Sequence, residues 1–172
     1  SYTTLKDKLT NATHVNLSHA LQARRSCPGA HIVFSSCSYP FSGAEKVEDR
    51  FRTEICRKAG VEPIIAGPMI NTVDEVMKIK IALKDSGIAP EGILIVTGQL
   101  HSRSARYIYR KIFPQCRIFV ECVPCRYEIQ PDHPVLDQRV MWKWVLSNIM
   151  RQIALRLLPL SWVQKIRHKS MY

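Results

Sequence analysis

A chain of 172 residues is long enough for one ordinary domain with a real core and short for two independent ones. Its 46% hydrophobic and 23% charged residues exclude a disordered or collagen-like polymer, and no apolar run reaches transmembrane length. The net charge of +11 favours a phosphate-bearing ligand, an anionic membrane surface or nucleic acid, but it is unevenly placed: Arg139, Lys143, Arg151, Arg156, Lys165, Arg167 and Lys169 fall in a C-terminal stretch without an acidic residue.

The first residues, Ser1 to Lys8, have neither the apolar stretch of a signal peptide nor a start methionine. Val15 to Ala23 reads as a first helix, with Leu17, Ala20 and Leu21 apolar. His31 to Ser36 is a strand. Ser42 to Glu45 then has the capping-box spacing of a helix start, and the helix it opens carries Val47, Phe51 and Ile55 on one face and stops at Ala59-Gly60.

Pro63 to Ala66 gives a second strand. Thr72 to Glu75 repeats the capping-box spacing and opens a helix with Val76, Ile79 and Leu83 at helical intervals, ended by Ser86-Gly87. Gly92 to Thr97 is apolar throughout, as a central parallel strand would be. The next helix has Ala105, Ile108, Tyr109 and Ile112 in one stripe, with Ser102 suited to its N-cap. Arg117 to Val123 is the last strand, Pro124 to Pro134 a loop, and about Val135 to Leu158 a closing helix. Short β-branched runs alternating with helices predict an α/β domain with a mainly parallel sheet built from crossover units.

In such a sheet, ligands bind outside the carboxyl ends of the strands, where loops converge and helix N-termini point free N–H groups outward. Three predicted edges carry polar clusters: Ser35 to Ser38, Asn71 to Glu75, and Thr97 to Arg103. A basic side chain at a helix start opposes the macrodipole, so His101 and Arg103 suggest an anion between them. Capping alone also accounts for Thr72 and Glu75, turn formation for Ser35 and Ser36, and a structural hydrogen bond for His101.

Cys122-Val-Pro-Cys125 has the spacing of a redox or zinc half-site, but it has no second pair and only His133 nearby, so structural cysteines are preferred and no metal is expected. The six cysteines lack the dense spacing of a disulfide scaffold, which favours a reducing compartment and a cytoplasmic or membrane-peripheral location. Dinucleotide, P-loop, zinc-hydrolase and nucleophile-elbow signatures are absent. The stretch from Trp142 to Ile166 mixes tryptophans, leucines and basic residues, the composition of an amphipathic helix at an anionic membrane surface or of a helix packed on the sheet with a solvated basic face. Nucleic acid is not an expected partner, because aromatic and basic residues do not alternate in any recognisable binding pattern.

The segment from about Val15 to Val123 resembles the bacterial YdcF, SanA and ElyC proteins, members of a domain family of unknown function (domain of unknown function 218). The likeness rests on a helix ahead of Ile32-Val33-Phe34-Ser35-Ser36, on Ile70-Asn71-Thr72-Val73-Asp74-Glu75 where the family has Ser-x-Asn-Thr-x-Glu-Asn, and on Val96-Thr97-Gly98-Gln99-Leu100-His101 where it has Val-Thr-Ser-x-x-His. The resemblance implies a Rossmann-like three-layer sandwich with a core at about 15–123; the length makes 1–172 one expected domain, and composition adds a basic amphipathic helical tail at about 135–172. The resemblance also implies a site at Asn71, Thr72, Asp74, Thr97 and His101, and a loose tie to bacterial envelope functions, without specifying a reaction.

Three departures accompany the resemblance. Ser104 stands where the family has an arginine, flanked by Arg103 and Arg106, and Ser36-Cys37 stands where it has glycines. The family also opens with an apolar strand, and no such run precedes Val15, so the expected fold includes one without that first strand.

The expected function is an enzyme or ligand-binding domain for a phosphate-bearing or nucleotide-like small molecule, S-adenosylmethionine among the candidates. His101 would serve as general acid or base, with Asp74 orienting it or binding a ligand hydroxyl. Ser35, Ser36, Asn71, Thr72 and Thr97 would bind polar ligand groups, and Arg103 and Arg106 would neutralise the anion. The alternative is a non-enzymatic membrane-surface or partner-binding module using the basic C-terminal helix.

Overall fold

The computed structural model describes residues 11–37, 44–69, 71–124 and 141–165. Ser42 of the first capping box, Ile70, the 125–134 loop with Cys125 and His133, the proposed helix start at 135–140 with Arg139, and residues 166–172 with Arg167 and Lys169 lie outside the described residues.

In chain order the elements are α1 (Asn11–Ser26), β1 (Val33–Cys37), α2 (Ala44–Lys58), β2 (Ile64–Met69), α3 (Thr72–Asp85), β3 (Gly92–Gly98), α4 (Gln99–Ile112), β4 (Arg117–Val123), α5 (Met141–Leu157) and α6 (Leu160–Lys165). Strands and helices alternate up to β4, and both strand pairings among the described residues are parallel: β1 with β2, and β3 with β4. The expected α/β class with parallel strands and helices packed around them is what the chain adopts, although the strands form two two-stranded sheets.

Consecutive strand residues point to opposite faces, and this divides the packing. Val33, Ile64, Ile93, Ile95, Ile118 and Val120 face one side, where they join Val76, Ile79 and Leu83 of α3 and Ala105, Ile108 and Ile112 of α4 in the larger core. Both sheets therefore share one apolar layer under α3 and α4. On the other face Phe34 packs with Leu17 and Leu21 of α1 and Ile55 and Cys56 of α2 in a smaller cluster. α1 also touches β3 and β4, so it links the two sheets on that side. Cover there is thinner: Ile65, Leu94 and Phe119 are exposed. The apolar β3 is thus buried on one face and bonded along its length to β4, a departure from the fully buried central strand its composition suggests.

Local chemistry ends the helices where expected. At the end of α2 the N–H of Val61 bonds to Cys56 O and that of Gly60 to Arg57 O, and at the end of α3 Ile88 bonds to Leu83 O and Gly87 to Lys84 O. This double closure requires a left-handed residue, supplied by Gly60 (φ 73°) and Gly87 (φ 69°). β2 runs three residues past the expected Ala66 to Met69, through a register shift opposite Ser35–Cys37 that accommodates Gly67-Pro68. The closing helix ends earlier than Leu158 suggests only by one residue, but Pro159 separates it from the short α6, whose Trp162 N–H bonds to Pro159 O.

Candidate functional site

Ser35 is buried near the carboxyl end of β1, and its hydroxyl donates a 2.6 Å hydrogen bond to Glu75 Oε1 in the first turns of α3. Its neighbour Ser36 points to the other face and donates to Asp49 Oδ2 on α2. Asp49 pairs at 2.8 Å with Arg52, whose guanidinium also donates to Ser35 O at 2.9 Å and lies 4.5 Å over the Phe34 ring. The end of β1 is thereby held by α2 and α3 together.

At α3 the expected capping box at Thr72–Glu75 is corrected by one residue. Asn71 is the N-cap, its Oδ1 accepting from the Asp74 N–H at 3.0 Å, while Glu75 turns to Ser35. Asn71 Nδ2 also donates to Val163 O at 3.2 Å, so the same side chain starts α3 and holds α6. Asp74 is buried and pairs at 2.9 Å with Lys78, whose ammonium also reaches Pro68 O at the β2 register shift. Thr72 is half-buried in the first turn.

β3 runs straight into α4. Thr97 is the penultimate strand residue and Gly98 is the N-cap, in extended conformation, with no side-chain cap and no acidic residue in the first turn. The expectation that Ser102 caps this helix is corrected: its hydroxyl donates back to Gln99 O at 2.6 Å. His101 is half-buried in the first turn, while Arg103 and Arg106 are exposed. Arg103 lines a cavity of about 30 Å³ with Ser104, Tyr107, Gln152, Leu155 and Arg156, and so faces α5. Ser104 is buried.

Burial, with the Glu75 carboxylate adding to it, pushes the Tyr109 hydroxyl on α4 above the usual phenolic range. The Ser35–Glu75 bond connects β1 to α3. Burial likewise raises the Cys56 thiol, partly offset by Arg52.

Asp49 and Arg52 are the contributors that sequence reasoning missed. Their signal is present: Asp49, Arg52 and Cys56 fall on one helical face, rotated by one residue from the Phe51 and Ile55 stripe, and Arg52 and Cys56 are the buried pair. An open groove of about 700 Å³ lies over Ile65 beside Asp49, Arg50, Glu54, Arg57 and Lys58. It contains none of the strand-end positions, and its walls carry both charge signs. Among the described residues no cluster of three or more histidine, cysteine or acidic side chains could hold a metal ion. Cys122 is an exposed free thiol at the end of β4.

No family model matches the chain, and no curated protein or solved structure matches it either.

Proposed function

We propose that the chain binds a phosphate-bearing or nucleotide-like small molecule where β1 and β3 end and α3 and α4 begin, as a divergent relative of the YdcF, SanA and ElyC proteins. The observation that carries this reading is the start of α4. The N-cap is a glycine, so the cap residue itself offers no side-chain acceptor to the first-turn N–H groups, and the first turn carries His101 and no acidic residue, a setting that favours an anion.

In this reading the polar strand ends supply the walls. The Thr97 hydroxyl and the α4 N–H groups donate to the anion, Thr72 and Asn71 meet polar ligand groups, and Ser35 and Ser36 hold the floor through Glu75 and Asp49. His101 moves a proton as general acid or base. Asp74, held by Lys78, sets the local charge, and Arg106 supplies long-range attraction for the anion. A cytoplasmic or membrane-peripheral location goes with this reading. No helix among the described residues is long and apolar enough to cross a membrane.

The test is a thermal-shift screen with nucleoside phosphates, S-adenosylmethionine and inorganic phosphate, repeated on His101→Ala. A ligand at a hundredfold its dissociation constant stabilises by about 2.7 kcal/mol, which raises the melting temperature by several degrees. A shift lost in His101→Ala is the expected result. No shift with any probe from folded protein, or a shift untouched by the substitution, overturns the reading.

A further inference from the structure

Among the described side chains of α5, Leu155 is the buried one, beside α4, and those on a different side of the helix are bare. Trp142 (62% exposed), Leu146, Ile149, Met150, Ile153 and Leu157 (76% exposed) all stand in solvent. At about 100° per residue these six fall within one broad stripe centred near Ile153, roughly opposite Leu155 on the helix. A row of large apolar side chains of this size marks a docking surface rather than ordinary surface scatter. Trp162 on α6 is likewise exposed.

The charge around the stripe selects the occupant. Lys143 borders one edge, with its ammonium 5.7 Å over the Trp142 ring, and Arg156 borders the other; both are exposed. No acidic residue occurs anywhere from Arg139 to Tyr172. A second copy facing this stripe would set like charges against like with no carboxylate to pair them, so self-association is disfavoured. Insertion across a bilayer is disfavoured as well, because no helix among the described residues, the 17 described residues of α5 included, is long and apolar enough to cross one. An apolar stripe edged by cations, with tryptophan at its outer end, suits the interface of a negatively charged bilayer, where the rings sit at headgroup level and basic side chains meet lipid phosphates.

We infer that α5 docks the protein on an anionic lipid bilayer, lying in the plane of the interface with its Trp142–Leu157 stripe in the acyl boundary. The docking is independent of any ligand at the strand ends. Leu155 sits on the opposite side, so the contact with α4 is kept while the stripe is immersed.

Co-sedimentation of the full chain with phosphatidylcholine vesicles, with and without about one third phosphatidylglycerol, tests this. Expected is binding to the anionic vesicles that falls steeply at high salt, accompanied by a blue shift of tryptophan emission. Leu146→Asp with Ile149→Asp should weaken the partition at least about tenfold, by the cost of placing charge in an apolar boundary. Lys143→Gln with Arg156→Gln leaves the apolar stripe intact and should lower both the affinity and its salt dependence, so the test survives if the first pair disturbs folding. Absence of binding to anionic vesicles at low salt overturns the inference. So does equal, salt-independent binding to both vesicle types, or a dimer in sedimentation velocity that Leu146→Asp dissociates.

Discussion

The hydroxyl of Ser35 at the end of β1 donates to Glu75 in α3, 2.6 Å away across 40 residues of chain. A glutamate near a helix start commonly folds back on its own backbone, and here it reaches a neighbouring strand instead. The bond closes the β1–α2–β2–α3 unit, and the Glu75 charge adds to the burial that raises the Tyr109 hydroxyl of α4.

Removing the hydroxyl should therefore cost more than an ordinary surface serine does. Ser35→Ala leaves a part-buried carboxylate short of a donor, and we expect a loss of about 1–3 kcal/mol in urea unfolding. Ser35→Ala and Glu75→Ala together should cost less than the sum of the two, with a coupling of about 0.5 kcal/mol or more. Strict additivity would show that the bond carries no stability.

Asn71 performs two jobs that substitution can separate. Asn71→Ala removes the cap of α3 and the donor to Val163 O, for a loss of about 1 kcal/mol or more. Asn71→Asp keeps the cap acceptor and adds a charge the helix start favours, but replaces the donor by an oxygen facing a carbonyl. Global stability in Asn71→Asp should stay near wild type while amide exchange in α6 accelerates. Unchanged exchange there would mean that α6 is held by Leu160 and Val163 packing alone.

The sequence made the element order legible because its apolar periods are clean: β3 and β4, the α3 stripe at Val76, Ile79 and Leu83, and the glycines at 60 and 87 all lie where their patterns place them. Caps were harder to read, since Asn71 and Thr72 both suit the position and only the tertiary bond of Glu75 to Ser35 decides between them. The one-residue rotation of α2 was hidden for a related reason. Arg52 is charged, so a hydropathy pattern assigns it to solvent, yet its pairing with Asp49 and stacking on Phe34 make it a buried residue. Strand pairing beyond neighbours has no local signal, so the division of the described strands into two sheets is legible only in the folded chain.

Gly87 offers a clean measure of backbone conformation. A Cβ there would meet nothing within 4 Å, so Gly87→Ala pays only for the left-handed backbone, about 1–2 kcal/mol. Gly29 has equally open surroundings without a positive φ. Gly29→Ala should be neutral or slightly stabilising through the unfolded chain. Similar melting temperatures for the two variants would contradict the closure described at the end of α3.

The same Glu75 region sets a limit on alkaline stability. Tyr109 holds its proton more tightly in the folded protein than in the unfolded chain, because burial disfavours the phenolate and the Glu75 charge disfavours it further. A group raised in this way contributes stability that is whole below its unfolded value and is lost as pH rises. The unfolded chain gives up this proton near pH 10 while the folded chain does not, so stability should fall above about pH 10 by up to roughly 1.4 kcal/mol per unit. Cys56, raised by burial, adds a similar fall that begins above about pH 8.5, the ordinary thiol value. Tyr109→Phe keeps the ring that stacks 6.0 Å from Phe113 and removes the proton. Urea midpoints measured from about pH 8 to about pH 11 should show a shallower decline above pH 10 in Tyr109→Phe than in wild type. Parallel declines would mean that the Tyr109 hydroxyl ionises as freely in the folded protein as in the unfolded one, and that the packing of α3 on α4 leaves it open to water.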